Sequence, residues 1–374
     1  MINWPHIYFF AFLGGAALSL MYTPIFQKLA EKIDLMDRPK SEKHKGHAKA
    51  IPLLGGAAMC CAWLTAIGIA VGMIDSGVAS SISEGLREYS RNFLDSSLRL
   101  GVIVFGAVLV MMLGIIDDKH HLSAAVKFGG QFLVALLAVQ FGGIKISCFI
   151  DSELISTAVT IFWFMVLMNS INFFDNMDGL AVGTVTIAMG FFALVATLHQ
   201  QFFIATFAAL NCGVCAGFWF YNNSPATIFM GDSGSHFLGY LTACVSASVT
   251  YFSPEFSLSR YPILFPLFVL AVPLFDTLSV VAIRTINRKP FWIGDHNHLS
   301  HRLVRLGMSR KYAVMLIHLL MLVVNLSVLP LIWAEHATAL AILAQLVILF
   351  VFFTLLLNCH RSLPPQGNND NPKN

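Results

Sequence analysis

The sequence has 374 residues, 57% of them hydrophobic and only 11% charged, with 23 Lys and Arg, 20 Asp and Glu and a formal net charge of +3. Soluble domains carry about 25% charged residues, and so few charges cannot wet a chain whose mean hydropathy is +0.72. Composition therefore excludes a soluble globular protein, and a charge this close to balance gives no sign of a nucleic-acid partner.

A membrane-crossing helix needs about 20 predominantly apolar residues. Eleven such runs lie near 7–26, 51–74, 99–116, 124–141, 154–171, 180–198, 202–220, 235–252, 262–283, 312–333 and 338–358. The sequence thus predicts an all-α polytopic membrane protein of about eleven transmembrane helices. Residues 1–8 hold no Lys or Arg, so the first run reads as a retained helix and not a cleaved signal. The turn His199-Gln200-Gln201 is so short that its flanking helices must be antiparallel neighbours. Cys60, Cys61, Cys212, Cys215 and Cys244 fall in apolar runs, where a thiol behaves as a small hydrophobe.

An odd number of spans puts the termini on opposite sides, and an excess of Lys and Arg marks the cytoplasmic loops. Arg87, Arg91, Arg99, Lys145 and Arg260 lie on one set of loops; the remaining 18 of the 23 lie on the other. The N-terminus is therefore expected outside and the C-terminus in the cytoplasm. Residues 1–358 read as one integral-membrane domain with cytoplasmic loops 27–50, 117–123, 172–179, 221–234 and 284–311. The tail 359–374, rich in Asn and Pro, is expected to be disordered.

The acids sort by side. Asp117, Asp118, Asp175, Asp178, Asp232, Asp276 and Asp295 all fall at or near cytoplasmic span ends. Any one of them could be a helix cap or a solvated charge. Together, in polar and glycine-rich segments, they point to a site, because carboxylates at membrane depth are expensive and usually functional. Asp117-Asp118 at a helix end, beside basic residues, suits a magnesium ion with a bound phosphate. Ser123 reads as the N-cap of the next helix, with Lys127 one turn further in. In Asn172-Phe173-Phe174-Asp175-Asn176-Met177-Asp178-Gly179-Leu180, helical spacing would place Asn172, Asp175 and Asp178 on one ridge. In Phe229-Met230-Gly231-Asp232-Ser233-Gly234-Ser235, glycines flank an acid at the start of a helix, where backbone amides favour an anion.

The basic loop 284–311 contains Gly294-Asp295-His296-Asn297-His298-Leu299-Ser300-His301-Arg302. His298 and His301 share a helical face, but zinc would require a further His or Cys ligand and His296 is badly placed. Histidines and arginines beside carboxylate-held magnesium fit diphosphate recognition better. Lys43 and His44, just before Ile51-Pro52-Leu53-Leu54-Gly55-Gly56, suit phosphate as well, although most positive charge in that loop is orientation signal.

These segments, in this order, resemble the polyprenyl-phosphate N-acetylhexosamine-1-phosphate transferases, the superfamily that includes the phospho-MurNAc-pentapeptide transferase. The resemblance runs from about residue 35 to 310, and its most specific parts are N-x-x-D-x-x-D-G-L at 172–180 and F-M-G-D-S-G-S at 229–235. It implies a multi-pass inner-membrane enzyme, with its site on the cytoplasmic face. That enzyme would pass HexNAc-1-phosphate from a UDP-HexNAc to polyprenyl (undecaprenyl) phosphate and release UMP. The resemblance further implies Mg²⁺ (or Mn²⁺) held by Asp232 and Asp118. Catalytic roles would fall to Asp117, Asp118, Asp175 and Asp178, and substrate contacts to Lys43, His44, Lys127, Asn172, Asn222, His298, His301 and Arg302. A one-step displacement is preferred to a covalent Asp intermediate, and a homodimer is compatible with the reading.

One departure bears on the sugar. The family loop usually ends H-x-H-H, where this chain has His298-Leu299-Ser300-His301. The P-x-H-H-H-x-E pattern of the MurNAc-pentapeptide branch is absent, which favours GlcNAc-1-phosphate as the group transferred. A histidine at position 300 is expected to be tolerated. The rival class is a proton-coupled transporter with Asp276 as relay, but a carrier places its polar groups near the midplane, and here they gather at one face.

Overall fold

The computed structural model describes residues 4–38, 50–77, 97–146, 150–252, 257–290 and 297–359. Their helices are α1 (Trp4–Lys32), α2 (Gly55–Asp75), α3 (Ser97–His120), α4 (Ala124–Gln140), α5 (Glu153–Phe174), α6 (Leu180–Leu198) and α7 (Phe202–Asn222). Then follow α8 (Gly231–Ser248), α9 (Phe265–Val269), α10 (Ala271–Ile286), α11 (Leu299–Arg305), α12 (Arg310–Val328) and α13 (His336–Cys359). The only strands among the described residues are β1 (Met36–Asp37) and β2 (Ile51–Pro52), paired antiparallel with Met36 opposite Pro52. The fold is an all-α, multi-pass membrane architecture.

Every apolar run of the sequence contains a helix, but eleven full spans are not what the described residues show. Eight helices are long and apolar enough to cross a membrane, and nine if one bent pair counts as a single span. α4, at 17 residues, falls short. α8 is built from small and polar residues, and every residue from Ser233 to Ser246 is buried. Such a helix answers to its neighbours and not to lipid, since small side chains let membrane helices approach closely. Gly56 shows how closely: a Cβ there would lie 2.2 Å from the Gly234 backbone nitrogen. α8 is accordingly the central post, packed against α2, α3 and α5, while α1 packs along α7 and α6 along α7. The neighbour relation expected across the turn at 199–201 is therefore present.

The bent pair is Tyr261–Val269 with α10, which meet at 69°. Pro273 has no N–H to return to the Val269 carbonyl. That carbonyl instead accepts from Asn325 Nδ2 of α12 at 3.3 Å, so the break is satisfied inside the bundle, as hydrocarbon surroundings demand. Gly55 N–H donates to Phe229 O and Gly56 N–H to Met230 O, both at 3.0 Å, and Phe229 N–H donates to Pro52 O at 2.8 Å. The start of α2 is thereby stitched to the strand of chain leading into α8.

Candidate active site

Four helix ends meet around Asp232. α3 delivers Asp117 and Asp118, α4 delivers Lys127, α5 delivers Asn172 and Asp175, and α8 begins with Asp232 itself. Adjacent residues on a helix point about 100° apart, and the two acids of α3 accordingly take different partners. Asp117 is buried, accepts from Leu122 N–H through Oδ1 at 2.8 Å and forms an ion pair with Lys127 through Oδ2. Asp118 crosses to α8, where Oδ1 accepts from Asp232 N–H at 2.8 Å and Oδ2 from Ser233 N–H at 3.2 Å. It thus caps a helix more than a hundred residues away. Gly231 makes room for this contact: its φ is +66°, and a Cβ would lie 2.5 Å from Asp118 Oδ2.

The Asp232 carboxylate is held from two sides. Asn172 Nδ2 donates to Oδ1 at 2.8 Å and Lys127 Nζ to Oδ2 at 3.1 Å. Burial alone would raise its carboxyl, but contacts with Asp117, His236, Lys127 and Asn172 outweigh that and hold it below the usual carboxylate range. Asp175, the residue that ends α5, is in the opposite state. Burial, together with the charges of Asp232, Asp118 and Asp178, pushes its carboxyl well above the usual range.

The expected polar ridge of Asn172, Asp175 and Asp178 is not helical. α5 stops at Phe174 and the next residues form a turn, so Asp178 points elsewhere and accepts from Ala226 N–H at 3.0 Å. Asn222 is buried behind this turn with both ends of its amide in use. Oδ1 accepts from Gly179 N–H at 3.1 Å and Nδ2 donates to Ile228 O at 2.9 Å. Ser123 is the N-cap residue of α4 as expected, but its side chain makes no capping bond.

The histidine segment docks on the same end. His298 is the N-cap residue of α11 and packs edge-on to Phe173, with centroids 6.5 Å apart, and lies 6.4 Å from the His301 ring. His301 and Arg302 follow on α11, half-buried. Ser300 is 1% exposed and donates through Oγ to Asn176 Oδ1. A histidine here, expected from the family pattern to be tolerated, would have to displace packed neighbours. Lys43, His44, Asp295 and the tail from 360 lie outside the described residues. The pairings Asp118 with α8, Asp276 with His298 and Ser300 with Asn176 join residues far apart in sequence, and no spacing signalled them.

Among the described residues, the Lys127 ammonium meets two of the acids Asp117, Asp118, Asp175 and Asp232, namely Asp117 and Asp232. Among the described residues no three His, Cys, Asp or Glu side chains are already arranged as ligands of one ion. The chemistry of the set nonetheless fits a hard divalent cation, since carboxylate and amide oxygens are its preferred ligands and the excess negative charge needs a counterion.

Residues 100–250 match the family described as glycosyl transferase family 4. The "Probable undecaprenyl-phosphate N-acetylglucosaminyl 1-phosphate transferase" of Bacillus subtilis is 31% identical over 354 residues, covering 92% of this chain and 90% of that one. The chain belongs to glycosyl transferase family 4. The decaprenyl-phosphate N-acetylglucosaminephosphotransferase of Mycolicibacterium smegmatis is 30% identical over 73% of this chain and 70% of its own. The phospho-N-acetylmuramoyl-pentapeptide-transferase of Bacillus licheniformis is 28% identical over 62% of this chain and 71% of its own. The family membership read from the motifs at 172–180 and 229–235 is borne out.

Proposed function

We propose that this protein transfers N-acetylglucosamine-1-phosphate from UDP-GlcNAc to polyprenyl phosphate, with undecaprenyl phosphate as the acceptor tested first, and releases UMP. The observation that carries the proposal is the gathering of Asp117, Asp118, Asp175, Asp232 and Lys127 at one end of an apolar bundle in a member of this family. The GlcNAc branch is favoured because the two relatives named for it align over larger shares of this chain than the pentapeptide transferase does. The missing P-x-H-H-H-x-E pattern argues the same way.

In this reaction an oxygen of the lipid phosphate attacks the sugar-bearing phosphorus of the donor, and the bond from that phosphorus to the oxygen of UMP breaks. Little covalent work falls to the protein; positioning and charge stabilisation dominate. Lys127 supplies a positive charge beside Asp232 for phosphate oxygens. His298, His301 and Arg302 offer further donors from α11, and Asp175 stands ready to orient the entering phosphate. Asp178 and Asn222 hold the turn that carries Asp175. Mg²⁺, bound through Asp232 with Asp117 and the remaining lone pairs of Asp118, would offset the diphosphate charge.

We place this end of the bundle in the cytoplasm of a bacterial inner membrane, with the N-terminus outside, from the charge split of the loops. Eleven crossings, counting α4, α8 and the bent pair, satisfy that arrangement. The test is UMP release by purified protein given undecaprenyl phosphate and either UDP-GlcNAc or UDP-MurNAc-pentapeptide. UMP from the first donor alone is expected. Turnover of the pentapeptide donor would move the protein to the other branch, and UMP from neither would overturn the proposal.

A further inference from the structure

α10 carries Asp276, buried to 1% exposure, at a depth where a lone carboxylate is costly. Its two oxygens have two different tasks. Oδ1 accepts from Leu299 N–H, the first amide of α11, and Oδ2 lies 2.7 Å from His298 Nδ1. The same carboxylate therefore fixes both the start of α11 and the ring of the residue before it. His298 is itself 5% exposed and is confined on its remaining sides by Phe173 and His301. Arg284, one further charge on α10, lies over the Phe173 ring at 5.4 Å. Phe173 is two residues from Asp175, which puts the buried imidazole at the same end of the bundle as the carboxylate cluster. A carboxylate on Nδ1 sets which ring nitrogen carries the proton and leaves Nε2 for a ligand.

We propose that Asp276 is a positioning residue for His298, fixing the proton on Nδ1 so that Nε2 is presented to the phosphate groups of the substrates. The geometry stands by itself; only the identity of what Nε2 meets rests on the proposed function. Asp276 touches no substrate and acts through the histidine. This assignment replaces the proton relay that its position in an apolar run would otherwise suggest.

Asp276→Asn separates the two tasks. Its carbonyl oxygen can still accept from Leu299 N–H, but its NH₂ group now faces the ring, and only an unprotonated Nδ1 can meet it. The proton moves to Nε2, and a correctly folded protein holds the wrong tautomer. The first measurement needs no activity. In ¹⁵N-histidine-labelled protein in lipid nanodiscs, with His298→Gln identifying the resonance, wild-type His298 should carry hydrogen on Nδ1, and Asp276→Asn should leave Nδ1 bare. A bare Nδ1 in the wild type would overturn the proposal whether or not the variant folds.

The second measurement is UMP release from UDP-GlcNAc. His298→Ala should lose about tenfold or more, as expected for a hydrogen bond to a charged group, and Asp276→Asn a similar factor. The double variant should fall no more than about twofold below His298→Ala, because residues acting through one group are not additive. Multiplying losses, or full activity in His298→Ala, would refute the assignment. An Nδ1-protonated ring in a protein that releases no UMP would refute the transferase reading and leave the pairing intact.

Discussion

Asp118 offers the sharpest separation of structural and chemical roles. It accepts two amides of the first turn of α8, Asp232 N–H at 2.8 Å and Ser233 N–H at 3.2 Å, and α8 is the helix on which α2, α3 and α5 all pack. In Asp118→Asn the remaining oxygen keeps one amide, while the new NH₂ group confronts the other. One charge-assisted hydrogen bond is lost, at about 1.5–3 kcal/mol. Removing the negative charge from the helix N-terminus adds about 0.3–1 kcal/mol. The start of α8 should therefore open more easily by about 2–4 kcal/mol, which at about 1.4 kcal/mol per factor of ten is a rise of about 30- to 1000-fold in the open population. The Asp232 and Ser233 amides report it, since both donate to Asp118. Hydrogen exchange at these two amides in detergent should quicken by that factor, and activity should fall with it. Unchanged exchange there in an inactive Asp118→Asn protein would refute the capping argument and make the carboxylate a ligand of substrate or metal alone.

Asp232→Asn should behave in the opposite way. Its partners Lys127 and Asn172 are half-buried and the change relieves crowding among carboxylates, so stability should stay within about 1 kcal/mol. Turnover should fall at least about a hundredfold, and excess EDTA should silence the wild type; full activity with EDTA would sink the metal reading. Ser300→His should destabilise the protein by about 1–3 kcal/mol through overpacking, and Ser300→Ala by about 1 kcal/mol for one neutral hydrogen bond, both read from thermal unfolding in detergent. A Ser300→His protein as stable as wild type would show that the pocket around Asn176 is roomier than its burial suggests. For orientation, single cysteines in a cysteine-free background should leave Asn223 protected from impermeant maleimide in intact cells and Leu258, which is exposed, labelled. The reverse pattern would invert the topology.

Membrane helices announce themselves because roughly 20 apolar residues leave the chain few alternatives, and each apolar run indeed contains a helix here. The sequence could not say which helices face lipid. α8, with its Ser, Gly and Thr, is the most enclosed of all, because tight helix contact favours the residues that lower hydropathy. The break at Leu270 was legible only in Pro273, and its satisfaction by Asn325 depends on a partner 56 residues away. The helical ridge failed where Asp178-Gly179, a common turn pair, should have outweighed the i, i+3 spacing. The cluster around Asp232 was legible as a set of acids on one side. Which oxygen binds which amide was not, because α3, α4, α5 and α8 meet only after folding.

The central claim is a phosphoryl transfer, and its products test it most directly. Purified protein with Mg²⁺, undecaprenyl phosphate and UDP-GlcNAc labelled in the sugar should yield one UMP for each labelled lipid diphosphate, and Asp232→Asn should abolish both together. UMP formed without labelled lipid, or labelled lipid formed with release of UDP in place of UMP, would contradict the account.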